Sequence, residues 1–203
     1  MAAEMPTTDS PLINAVRQLF DAQADQLPTL KAPIKAFLAG GVAVHYWVGN
    51  RVTTDVDAEF SLAGTGYRNF LPVDDVIVYD DADGKRGAVH IDRNYTPVFA
   101  LMHEDYVARS RPLGNQLGGK GKLEVYVLSP ADLAISKMAR WAPHDQEDVV
   151  ALAAAGLLDP EELERLAFEA AATAIGHNPS MLRINIQEAI DHVRAHQPPG
   201  PGV

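Results

Sequence analysis

The sequence predicts an α+β fold, a mixed β-sheet core with flanking helices followed by a helical C-terminal part. Three observations predict it. Asp55-Val56-Asp57-Ala58-Glu59-Phe60 alternates strictly between acidic and apolar side chains, the period of a strand with one buried face. The short apolar run Ala36–Ala39 is punctuated by Gly40-Gly41 and followed by Val42–Val48, which reads as strand, glycine turn and short helix. From residue 129 onward, Ser129-Pro130, Asp159-Pro160 and Asn178-Pro179 each place a capping side chain before a proline, the way helices start.

In chain order, Ser10-Pro11 opens an amphipathic helix whose Leu12, Ile13, Val16, Leu19 and Phe20 recur at helical spacing toward about Gln26. The glycine turn and the acidic strand, entered through Arg51 and Thr53, follow. Further strands are expected at 75–79, 88–92 and 123–128, the first two joined by the turn Asp80-Asp81-Ala82-Asp83-Gly84. Ser129-Pro130-Ala131-Asp132 is a capping signature for a helix running to about Trp141, and Gly156 and Gly176 suit helix ends. The expected division is a core over 1–128, a helical part over 129–197 and a disordered tail over 198–203, rich in Pro and Gly.

Composition narrows the function classes. The 203 residues contain no cysteine, which excludes disulfides, thiolate metal sites and cysteine nucleophiles. No apolar run reaches the ~20 residues of a bilayer span, and the N-terminal segment lacks the basic and apolar regions of a secretory signal. A cytoplasmic protein with no membrane partner is expected. With 17 Lys+Arg against 27 Asp+Glu, the net charge of -10 argues against coating nucleic acid indiscriminately. One segment runs against that balance: Arg109, Arg111, Lys120 and Lys122 fall in a stretch without acids that also holds Gly114, Gly118, Gly119 and Gly121, a candidate surface for RNA or simply a solvated loop.

The strongest chemical feature joins Gly40-Gly41 to Asp55-Val56-Asp57. Two carboxylates on one strand face repel and need solvent or a counter-charge. Divalent cations supply that charge, and Mg²⁺ completes its shell with water and substrate phosphates. Glycines without Cβ atoms let a backbone approach a triphosphate, and the N-terminus of the following helix favours an anion. A tight turn and a solvated edge face are the plainer readings of the two halves taken singly. Histidines add less: His45 reads as a packed helix residue, and His90 and His103 as isolated.

The stretch Phe37-Leu38-Ala39-Gly40-Gly41, with Arg51-x-Thr53-Thr54-Asp55-Val56-Asp57, resembles the signature of the polymerase-β-like nucleotidyltransferase superfamily. Val127-Leu128-Ser129-Pro130-Ala131-Asp132-Leu133 to Lys137, followed by Asp145-x-x-Asp148, resembles the second half of its bacterial AbiEii-like branch, which contains toxins of toxin–antitoxin systems. The resemblance covers about residues 36–150. It implies a nucleotidyltransferase-like mixed sheet, two Mg²⁺ ions, an NTP donor and transfer of a nucleoside monophosphate to an acceptor hydroxyl. The implied acceptor is tRNA or another cellular molecule, and the implied protein partner a cognate antitoxin.

By matching position, the resemblance gives Gly40 and Gly41 to the phosphates, with Arg51 and Thr53 in the nucleotide site, and Asp55 and Asp57 to the metals. The third carboxylate, catalytic and metal-binding, falls on Asp92, with Glu124 as competitor and Glu59 as a weaker one. Lys137 suits a triphosphate oxygen or is a solvated helix lysine. Asp145 and Asp148 share a helix face and either touch the nucleotide, orient Lys137 or Arg140, or serve as acids of a helix start. Two alternatives stay open. One is a non-catalytic nucleotide-binding or antitoxin-like module offering a partner groove along Leu163, Leu166, Ala167, Ala170 and Ala171. The other is an enzyme that modifies a small molecule such as an antibiotic.

Overall fold

The computed structural model describes residues 6–49, 51–68, 70–96, 100–113 and 121–198. The tail from 199 onward, Lys120, Gly114, Gly118 and Gly119 lie outside the described residues. The chain divides into two compact units. One comprises Thr7–Tyr95 and Ser110–Val127 and holds every strand of the described residues; the other comprises Met1–Pro6, Thr96–Arg109 and Leu128–Val203.

The strand unit begins with α1 (Pro11–Asp25), capped by Ser10, whose Oγ accepts the Ile13 N–H at 3.2 Å. Leu12, Ile13, Val16, Leu19 and Phe20 are buried along one face, as their spacing requires. A four-stranded sheet follows the order β3-β1-β7-β6, with β1 (Ile34–Leu38), β3 (Ala58–Ser61), β6 (Arg111–Pro112) and β7 (Leu123–Val127). Central β1 runs parallel to β7 and antiparallel to β3. Its Ala36, Phe37 and Leu38 are all buried, so the uninterrupted apolar run reflects a strand covered on both faces.

A three-stranded sheet has the order β2-β5-β4, with β2 (Asp55–Val56), β4 (Ile77–Asp80) and β5 (Arg86–Ile91). Here β5 runs parallel to β2 and antiparallel to β4. The turn between β4 and β5 is held by the Asp81 carboxylate, which accepts N–H bonds from Asp83 and Lys85. Helix α1 packs on β4 and β5, and α2 (Gly40–Val48) on β2.

The strand expected to run unbroken through residue 60 is divided at Asp57. Its first half pairs in one sheet and its second half in the other, and Asp57 is the joint, its carbonyl accepting the Ala39 N–H at 2.9 Å. The alternation survives the division. Val56 and Ala58 are buried, Asp55 is exposed, and Asp57 and Glu59 are partly exposed.

The helical unit contains α3 (Tyr106–Arg109), α4 (Pro130–Met138), α5 (Pro143–Ala154), α6 (Pro160–Thr173) and α7 (Pro179–His196). Three of its helices start at the expected caps: Ser129 Oγ accepts from Asp132 N, Asp159 from Glu162 N, and Asn178 from Ser180 N and Met181 N. Helix α4 stops at Met138, short of the expected Trp141, which sits at φ 51°. Leu133, Ile135, Met138, Val149, Leu152, Ile186, Ile190 and Val193 are buried. The stripe Leu163, Leu166, Ala167 and Ala170 is buried too, on a helix packed against α7. Four of the five residues expected to line a partner groove are thus spent on the unit's own core, which the same helical spacing serves, and Ala171 is half-buried. Among the described residues no helix is long and apolar enough to cross a membrane.

Candidate active site

The site is built where β1 runs into α2. After β1, Ala39 is extended and Gly40 opens the helix at φ +60°, a conformation that a side chain disfavours. A Cβ added at Gly40 would lie 2.7 Å from Asp57 Cγ and closer still to its Oδ2. A Cβ at Gly41 would lie 2.9 Å from Thr53 Cβ and 3.0 Å from its Oγ1. Glycine is thus required at 40 for two independent reasons. The room left by the missing side chains, which the sequence reading assigned to a triphosphate, is filled by the chain's own Asp57 and Thr53.

The segment between α2 and the acids is tied to both preceding helices. Helix α2 ends at Gly49, φ 75°, whose N–H bonds the His45 carbonyl. His45 Nδ1 lies 2.7 Å from the Arg51 carbonyl, which only accepts, so Nδ1 carries the proton and Nε2 receives the Ser10 hydroxyl at 2.9 Å. Burial lowers the His45 pKa against the opposing effect of the Arg51 bond, so the neutral ring that this network requires is the favoured form. His45 is the packed residue that the sequence suggests. Beyond Arg51, Thr53 Oγ1 donates to the Asp55 carbonyl and Thr54 Oγ1 to Asp55 Oδ1, each at 3.3 Å.

Strand register brings the acids together. In the parallel pair β2/β5, Asp55 is abreast of His90 and Val56 of Ile91. One residue further the Asp92 N–H bonds the Val56 carbonyl at 3.1 Å, where the ladder ends as the chain passes to the other sheet at Asp57. Residues abreast in a parallel ladder share a face, so Asp55 and His90 stand together on one, with Asp92 following His90 at the end of the ladder. Asp92 Oδ1 accepts the Asn94 N–H at 2.8 Å in the turn that follows.

Glu124 stands elsewhere. It is abreast of Lys35, which faces Ser61, four residues along from Asp57 and so roughly 13 Å away at strand rise. Its carboxylate takes the Tyr126 hydroxyl at 2.9 Å.

Two residues of this neighbourhood were absent from the sequence-derived site. His90 Nε2 lies 3.2 Å from Asp55 Oδ1. Tyr95, whose N–H bonds the Asp92 carbonyl, has its phenol pKa raised by burial and by the charges of Asp57 and Glu59, so it remains a protonated donor beside the acids. The signal for His90 was present: His90-x-Asp92 repeats the spacing of Asp55-x-Asp57.

Lys137, Asp145 and Asp148 belong to the helical unit and pair among themselves. Lys137 is 7% exposed, with Nζ 2.7 Å from Asp148 Oδ2 and 3.8 Å from Asp145 Oδ1, so the solvated-lysine alternative is corrected. Asp145 accepts two bonds from the Arg140 guanidinium, at 2.8 and 2.7 Å, and one from Ala142 N at 3.0 Å. Burial pushes its carboxyl up, but the bonds from Arg140 and Ala142 and the Lys137 and Arg140 charges outweigh burial and hold it below the ordinary value. The geometry displays two of the roles weighed for these acids, orienting the two cations and closing a helix start.

Among the described residues the basic segment is no row of free cations either. Arg109 makes two bonds to the buried Asp132, at 2.9 and 2.5 Å, and Lys122 Nζ donates to the Leu27 carbonyl. Arg111 is exposed and lies over the Trp47 ring, 5.6 Å from its centroid.

A family model described as "Nucleotidyltransferase of unknown function (DUF6036)" matches residues 17–194. The chain belongs to this nucleotidyltransferase family. Neither curated proteins nor solved structures gave a match. The resemblance read from the sequence holds at the level of nucleotidyltransferases, and the family's description does not extend to the toxin-type branch.

Within this nucleotidyltransferase the metal that such chemistry uses can be tested against the residues. Among the described residues no three His, Asp or Glu side chains converge as a preformed cage. Mg²⁺ does not need one, since one or two carboxylates, water and substrate phosphates complete its shell. Asp57, seated in the space that a Cβ at Gly40 would fill, and Asp55 two residues earlier offer such hard oxygens. The donor set fits.

Proposed function

We propose that the protein is a Mg²⁺-dependent nucleotidyltransferase that moves a nucleoside monophosphate from an NTP to an acceptor hydroxyl. One observation carries this reading: the Asp57 carboxylate is lodged against Gly40 at the start of α2. The N-cap residue is Ala39, which has no side chain to cap with, and the dipole of α2 favours negative charge at this end, that of Asp57 and of a triphosphate beside it.

Asp55 and Asp57, with Asp92, would hold two Mg²⁺ ions, which when bound neutralise the carboxylates and the charge on the leaving pyrophosphate. Arg51 and Thr53 belong to the segment that enters this site, and Thr53 braces Gly41. The acceptor oxygen bonds to the α-phosphorus as the bond from that phosphorus to the bridging oxygen breaks and pyrophosphate leaves. Asp92 accepts the proton of the acceptor hydroxyl.

The acceptor we propose is tRNA, with the protein acting as a toxin held by a cognate antitoxin; the family resemblance over residues 36–150 supports that choice. Incubation with labelled NTPs, Mg²⁺ and total RNA should label an RNA, and Asp55→Ala/Asp57→Ala should reduce the label by at least about 10³-fold, as loss of metal-based charge stabilisation requires. Equal labelling by the double variant overturns the assignment of the acids. Label in a small hydroxyl compound instead of RNA moves the acceptor to the antibiotic class, and NTP binding without transfer to any acceptor identifies a non-catalytic module.

A further inference from the structure

We propose that His90 is a positioning residue of this site: standing beside Asp55 Oδ1, it turns its Nε2–H onto that oxygen when a divalent cation takes the other oxygen of the carboxylate. The inference rests on the nucleotidyltransferase reading of Asp55 and Asp57. It starts from register, because β2 and β5 run parallel with Asp55 abreast of His90, so both side chains stand on one face. Nε2 lies 3.2 Å from Asp55 Oδ1. Thr54 Oγ1 donates to the same Oδ1 at 3.3 Å, so this oxygen is turned to the protein and Oδ2 is the one left for a cation. An imidazole N–H turned onto such an oxygen orients a metal ligand and raises its basicity.

A clamp for the fold is the competing account. The side chains of His90 and Asp55 are 48% and 58% exposed, and pairs so open to solvent contribute little to stability. The imidazole is placed where it can orient a ligand and where it can do little for the core. Asp92, two residues on from His90, is held in the same way by the Asn94 N–H, so each carboxylate of this group whose partners are seen has one oxygen committed to the protein.

The test uses the full-length protein and Mn²⁺ alone as the probe, followed by the paramagnetic resonance of the free ion, with melting temperature measured in parallel. His90→Ala should weaken Mn²⁺ binding about tenfold or more with an unchanged melting temperature. His90→Gln, which keeps an N–H donor, should recover most of the loss. Asp55→Asn/Asp57→Asn should abolish binding. If His90→Ala binds Mn²⁺ like the parent while the double Asn variant does not, the positioning role is overturned and the nucleotidyltransferase reading stands. If His90→Gln is no better than His90→Ala, or if His90→Ala lowers the melting temperature in step with binding, the donor role is overturned. A parent protein that binds no Mn²⁺, with or without NTP, overturns the reading of the acids and this inference with it.

Discussion

The Asp57 carboxylate occupies the space into which a side chain at Gly40 would grow. An added Cβ would meet Asp57 Cγ at 2.7 Å, in a backbone conformation, φ +60°, that already disfavours any side chain. Gly40→Ala should therefore cost about 1–2 kcal/mol from the left-handed conformation alone and more from the displaced carboxylate. The two contributions separate in a double-mutant cycle. In an Asp57→Ala background the carboxylate clash disappears, leaving the conformational cost and a tight approach of 3.1 Å to the remaining Cβ, so in urea unfolding of the four proteins the double variant should lose less than the sum of the two single losses. Independent, additive losses would mean that Asp57 moves aside without resistance.

Asp55 offers the converse case. It is exposed and its Oδ1 is the oxygen that accepts from Thr54 and lies 3.2 Å from His90 Nε2, an acceptor that an amide retains. Asp55→Asn should change the unfolding free energy by no more than about 0.5 kcal/mol, as surface substitutions do. NTP transfer should nonetheless fall by about 10² or more, because the lost negative charge is the one that a cation requires. A chelator should have the same selective effect on the parent protein, abolishing transfer and leaving the denaturant midpoint in place.

How far the sequence carried is shown by the contrast between caps and pairings. Ser10, Ser129, Asp159 and Asn178 were all legible as helix starts because a cap acts on amides two or three residues away. The division of the acidic strand at Asp57 was not legible, since alternation reports which way side chains point and not which strand they pair with. Nor was the company of His90, which depends on a register between segments about 35 residues apart. Gly40 was read as letting a phosphate approach, and the Asp57 carboxylate that stands beside it was not legible, because that contact joins segments distant in the chain. Lys137 shows the same limit: one charge on a helix face gives no sign of the buried acids that the next helix brings to it.

Those acids make a further expectation for Lys137. With Nζ 2.7 Å from Asp148 Oδ2, in a site where Asp148 is 2% exposed, Lys137→Met leaves a buried carboxylate without its cation and should cost about 3–5 kcal/mol. Lys137→Met/Asp148→Leu should be more stable than the single variant, because the Asp148 charge is removed together with its cation while Asp145 keeps Arg140. Chemical denaturation of the single and double variants measures this. A single variant that unfolds like the parent yet no longer transfers nucleotide would place Lys137 in the nucleotide site after all.

The last expectation concerns acid. Burial pushes the carboxyl of Asp145 up, but the Arg140 hydrogen bonds, the Ala142 N–H and the Lys137 charge together hold it below the value of about 3.9 that an unfolded chain shows. The unfolded state therefore binds a proton at higher pH than the folded state, and the sign of the linkage follows: the contribution of Asp145 is fully present well above pH 4 and is lost as pH falls through the folded pKa. Asp145→Asn lacks that titration while keeping a polar group at a fully buried position. Between pH 7 and pH 5 the stability gap separating the parent from Asp145→Asn should be constant. It should narrow as pH falls below about 4, because the parent is then progressively protonated into a similar neutral state. Urea unfolding at several pH values across this range measures the gap, and a gap independent of pH would show that Asp145 draws its stability from packing and not from its charge.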